Sequence, residues 1–91
     1  METGTDISNE LRTWITQEAL AGRPDINLED STELLRNGYL DSLLLLRLVA
    51  HIEERFGVEV PDDQVLPLHF RNIVAMTALI RELQQQAALN P

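Results

Sequence analysis

Ninety-one residues with a formal charge of −8, 44% hydrophobic residues and no cysteine describe a small acidic chain that is apolar enough to fold. Nucleic acid and anionic membrane surfaces repel such a charge, and without cysteine there is no disulfide framework, thiolate zinc site or cysteine nucleophile. Aromatic residues make up only 4%, so the core must be aliphatic, and a domain of this size has little room for both a core and a deep substrate cavity.

One domain over residues 1–91 is expected, with a helical core over about 6–86 and frayed or disordered termini. The N-terminal run METGTDISNE is polar and acidic, unlike a signal peptide, and no apolar run reaches membrane-spanning length. A cytoplasmic monomer is the expectation.

The first amphipathic stretch runs from about Ile7 to Leu20, with Ile7, Leu11, Trp14 and Ile15 at helical spacing. Asp6 or Ser8 is its candidate cap, and Gly22 with Pro24 its stop. A long connection follows over roughly Arg23 to Leu40, and loops of that length are usually functional or partly structured. Leu28, Leu34, Leu35 and Tyr39 are expected to tie it to the core, with a helical turn at Glu33–Arg36.

The second helix is expected from Ser42 to about Phe56, with Asp41 as N-cap and Gly57 just past its end. Leu45, Leu48, Val49, Ile52 and Phe56 form its buried stripe. Val58–Pro61 is extended without a partner strand. A short helical piece is expected near Asp62–Leu68, opened by Pro61 and limited by Pro67. Asn72 then caps a last helix from Ile73 to about Gln86, buried through Ile73, Met76, Ile80 and Leu83. The fold class is all-α: a bundle of three longer helices plus one short helix, with a long first loop.

Ser42 is in an unusual place. It follows a glycine-containing loop and a capping aspartate, and its hydroxyl projects at the positive end of a helix dipole, where an anion is favoured. Taken alone, the position is explained more simply by Ser42 sharing the capping work of Asp41. The outer face of the helix adds information. Leu43, Leu46 and Ala50 fall away from the buried stripe with Arg47 and Glu54 beside them, and an apolar patch next to a reactive hydroxyl suggests a docking surface for another protein.

Asp41-Ser42-Leu43 resembles the D-S-L attachment motif of the acyl and peptidyl carrier protein family. The resemblance covers roughly Leu28 to Leu83. It takes in Leu34-Leu35…Gly38…Leu40, Leu48-Val49, Ile52-Glu53, Phe56-Gly57-Val58, Val60-Pro61 and Phe70-Arg71-Asn72-Ile73. It implies an acyl-carrier-like bundle and a stand-alone carrier whose covalent 4'-phosphopantetheine, drawn from coenzyme A, is attached to Ser42, with Asp41 and Leu43 flanking the site. The cargo would ride on that arm as a thioester. Implied partners are a phosphopantetheinyl transferase, an adenylating enzyme or acyl/aminoacyl ligase, and condensing or tailoring enzymes. Leu43, Leu46, Arg47, Ala50 and Glu54 are the candidate docking residues.

Fatty-acid carriers usually place acidic residues two and five positions after the serine, whereas Leu44 and Arg47 stand here. That pattern is more similar to peptide-synthetase carriers and to stand-alone carriers for aminoacyl or pyrrolyl groups, although their usual G-G-x-S is replaced by Leu40-Asp41-Ser42. Natural-product biosynthesis is the expected setting. A fatty-acid-type carrier and an unmodified acidic helical adaptor remain alternatives. An enzyme is disfavoured: no G-x-S-x-G elbow exists, and His51 lies nine residues along the helix from Ser42, about 13 Å by helical rise. With only His51 and His69, neither a catalytic residue nor a metal ligand is expected.

Overall fold

The computed structural model describes residues 3–89, with side chains from Ile7 onward. Among the described residues four α-helices follow one another: α1 (Thr3–Glu18), α2 (Ser42–Phe56), α3 (Pro67–Phe70) and α4 (Ile73–Leu89), with a 3-10 turn at Asp62–Gln64. No strand occurs among the described residues, so the chain is an all-α bundle. The core is aliphatic, as the composition requires. Ile7, Leu11 and Ile15 from α1 meet Leu48 and Ile52 from α2 and Ile73, Met76, Leu79, Ile80 and Leu83 from α4, with Phe70 as the one fully buried aromatic side chain.

α1 departs from its expected bounds at both ends. It is already running at Thr3, so neither Asp6 nor Ser8 opens it. It stops at Glu18, where the amides of Ala19 and Leu20 both donate to the Ile15 carbonyl, at 2.9 and 3.0 Å. Gly22 therefore does not end the helix. It holds φ 80° inside the next turn, closed by Arg23 N–H to Leu20 C=O at 2.9 Å, at a position where only glycine is unstrained.

The long loop is fastened at two points. Leu34 N–H donates to Arg71 C=O at 2.7 Å, and Val74 N–H donates to Asp30 C=O at 3.1 Å. Asp30 also pairs with Arg12 of α1. The helical turn expected at Glu33–Arg36 is present as a run of turns over 34–38, with Asn37 N–H bonding Glu33 C=O at 3.2 Å, and does not lengthen into a helix. It nevertheless closes as helices do. Gly38 N–H bonds Leu35 C=O at 3.1 Å and Tyr39 N–H bonds Leu34 C=O at 2.8 Å, a Schellman pair with Gly38 at φ 75°.

Proline is the source of the error around α3. Pro67 was expected to limit a helix, but it occupies the first turn of α3 instead, where its missing N–H costs nothing. The expected single piece at Asp62–Leu68 is thus two: the 3-10 turn after Pro61, and α3 beginning at Pro67. α4 runs to Leu89, beyond the expected Gln86. Asn90 and Pro91 lie outside the described residues.

Candidate functional site

α2 begins at Ser42 because Asp41 begins it. Asp41 has extended backbone angles (φ −104°, ψ −176°), and its Oδ1 accepts from Leu44 N–H at 2.9 Å. Leu45 N–H then bonds Asp41 C=O at 2.8 Å, the first rung of the helix. Capping is therefore carried by Asp41, and Ser42 is exposed with no side-chain hydrogen bond among the described residues. Its hydroxyl stands at the end where the free amides of a helix favour an anion. At the far end, Gly57 in the left-handed region (φ 66°) donates to Glu53 C=O at 3.1 Å and closes α2.

The loop ahead of the serine is equally fixed. The Schellman closure turns the chain at Gly38, after which Tyr39 is half-buried and Leu40 buried. Ser42 thus projects from a hydrogen-bonded corner, while its own side chain takes no part in building that corner.

Leu43 and Leu46 are 68% and 63% exposed, and Ala50 and Glu54 are exposed beside them. Leu44 is half-buried against the core cluster. All five candidate docking residues, Arg47 included, are therefore exposed on α2. Arg47 also reaches to α1, where it pairs with Glu18 at 2.6 Å and lies 5.9 Å from the Trp14 ring centroid.

His51 is committed elsewhere: its Nε2 is 2.9 Å from Glu10, and its ring stacks on Trp14 at 5.7 Å. It offers no base to Ser42. Among the described residues no group of His, Cys, Asp or Glu could hold a metal ion, and no helix is long and apolar enough to cross a membrane. Two surface grooves are lined by Thr16 and the 20–26 loop, and by Ser8, Asp30, Val74, Thr77, Ala78 and Arg81; Ser42 lines neither.

Residues 17–80 match the family described as the phosphopantetheine attachment site. The chain belongs to that family of carrier proteins. It is 31% identical over 64 residues to the acyl carrier protein AsbD of Bacillus anthracis, covering 70% of each chain. It also superposes on a chain in a crystal structure described as an FAD-dependent dehydrogenase, with a TM-score of 0.72 and 39% identity, over 78% of this chain and 99% of that one. Membership implies covalent 4'-phosphopantetheine, and the exposed hydroxyl at a positive helix end fits a phosphodiester.

The side chains that sequence reasoning missed are on α1. Glu10, Trp14 and Glu18 recur every four residues, as do Arg47, His51 and Arg55 on α2, and the two rows meet. The two matching spacings were the available signal.

Proposed function

We propose that this chain, as one carrier domain over residues 1–91, holds an acyl or aminoacyl group as a thioester on phosphopantetheine attached to Ser42 Oγ and presents it to enzymes of natural-product assembly. The observation that carries the reading is the exposed, unbonded Ser42 hydroxyl directly after a cap that Asp41 alone supplies.

Ser42 offers its oxygen to the phosphopantetheinyl group of coenzyme A, with 3',5'-adenosine diphosphate as leaving group on the transferase. Asp41 holds the helix start in place through its bond from Leu44 N–H, and Ser42 Oγ would carry the phosphodiester at the positive end of α2. When bound, the arm supplies the thiol that this cysteine-free chain lacks. Leu43, Leu46 and Ala50 meet the partner, with Glu54 at the rim. Brief encounters over small, partly electrostatic interfaces suit a carrier that must leave one enzyme for the next.

The reading makes the chain a non-catalytic cytoplasmic monomer, charged by an adenylating enzyme or acyl/aminoacyl ligase and served by condensing or tailoring enzymes. The likeness to the dehydrogenase structure supports one tailoring partner. The matched 78% of 91 residues, about 71, spans 99% of that chain. A helical chain of that length is far too short for a dinucleotide-binding fold of two βαβαβ halves. A flavin-dependent dehydrogenase acting on carrier-bound cargo is the partner class that this likeness favours.

Intact-mass measurement after incubation with coenzyme A and a phosphopantetheinyl transferase tests the reading. A gain of one phosphopantetheinyl group is expected, and an unchanged mass would favour the unmodified adaptor. Subsequent loading by an amino-acid-activating ligase rather than by a fatty-acid enzyme is the expected second result.

A further inference from the structure

One seam joins α1 to α2, and it is built from alternating charges around an aromatic ring. Glu10 takes His51 at 2.9 Å and Arg55 at 3.2 Å. Trp14 stacks on His51 and lies beneath the Arg47 guanidinium, and Glu18 takes Arg47 at 2.6 Å. Both arginines of α2 are thereby opposed by carboxylates of α1.

Glu18 is placed against the electrostatics of its own helix. It occupies the last turn of α1, where exposed carbonyl ends favour a cation, and that turn contains no basic residue. Surface ion pairs of this kind contribute little to folding. Fold stability therefore does not account for a glutamate there. The position of its partner does, because Arg47 stands five residues after Ser42 and next to Leu46 on the docking face.

We propose that Glu18 is a specificity-determining residue: by masking Arg47 it turns the α2 face toward partners that join an apolar pocket to Lys or Arg side chains. The inference rests on the carrier reading and refines its docking surface. A bare Arg47 would put a positive charge at the centre of that face and repel such a partner. Paired with Glu18, it presents a short dipole whose field fades faster than that of a single charge. What remains at longer range is the acidity of Asp41, Glu54 and the chain as a whole. The Arg47 and Glu18 side chains are 52% and 38% exposed, so a docking protein meets both. Recognition of the modified helix thus extends onto α1.

The test compares wild type, Glu18→Gln, Arg47→Gln and the double variant as substrates of a phosphopantetheinyl transferase with a basic docking face. Rates are read as kcat/KM at low and high salt, with end-point mass and melting temperature recorded for each. Glu18→Gln should slow modification about three- to tenfold at low salt, with the difference collapsing at high salt. Arg47→Gln should exceed wild type at low salt, because it leaves the Glu18 charge unpaired beside that face, and the double variant should recover most of what Glu18→Gln loses, with melting temperatures unchanged. Equal rates for all four chains, or a Glu18→Gln defect that persists in the double variant, would overturn the masking role while end-point mass still reports a carrier. No mass gain in any chain would overturn the carrier reading and this inference together.

Discussion

The amide of Leu34 donates to the carbonyl of Arg71 at 2.7 Å, which joins the loop ahead of α2 to the junction of α3 and α4. Leu34 is fully buried, and the next turn closes on its carbonyl through Tyr39. The corner that presents Ser42 is therefore anchored across the bundle rather than only along the chain.

Gly38 is the pivot of that corner. A Cβ there meets nothing within 4 Å, so the cost of Gly38→Ala is the left-handed backbone alone, about 1–2 kcal/mol. Chemical denaturation should show that loss with an unchanged slope. A neutral result would mean that the turn is not held at φ 75°.

Ser42→Ala should leave helix content and melting temperature near wild type, because Asp41 supplies the cap, while blocking all loading. Intact mass after transferase treatment reads the second part. Modification that persists on Ser8 or Ser31 would move the attachment site.

Asp41→Ala should separate the two roles in the other direction. It removes the bond to Leu44 N–H and should cost about 0.5–2 kcal/mol, the usual range for a lost N-cap. Asn72, only 7% exposed and bonded through Oδ1 to Ala75 N–H at 2.8 Å, caps α4, and Asn72→Ala belongs at the upper end of that range. Equal melting temperatures for wild type and Asn72→Ala would contradict the buried cap.

Leu43→Ala and Leu46→Ala should barely shift the melting temperature, since both side chains are already in water, and should lower kcat/KM with the transferase or the charging enzyme. Leu48→Ala on the opposite face is the control, with an expected loss of about 2–5 kcal/mol. If Leu43→Ala destabilised as much as Leu48→Ala, the docking assignment would fail.

What the sequence made legible was local. Asp41 before Ser42 and Gly57 after Phe56 bound α2 at the residues where the structure has it, because a cap and a left-handed glycine are chemical necessities at those positions. The exposed Leu43 and Leu46 followed from helical spacing alone. Pro67 was misread because proline both opens and prevents helices, and only the extended backbone of Leu66 just before it decides between the two. The seam of Glu10, Trp14 and Glu18 against Arg47, His51 and Arg55 went unread for a different reason. Its pairs lie 29 and 41 residues apart for Arg47–Glu18 and His51–Glu10, and no rule of neighbouring residues chooses which acid meets which base.

The division of labour between Asp41 and Ser42 has a thermodynamic consequence. On the carrier reading, esterifying a Ser42 hydroxyl that supports neither cap nor core removes no native contact, and the phosphodiester at the positive end of α2 stabilises the fold by only about 0.3–1 kcal/mol. By linkage, a fold that senses the arm so weakly announces it through little change of shape. That reading expects partner enzymes to tell bare, armed and loaded carriers apart by touching the prosthetic group itself, with the protein surface as a common handle.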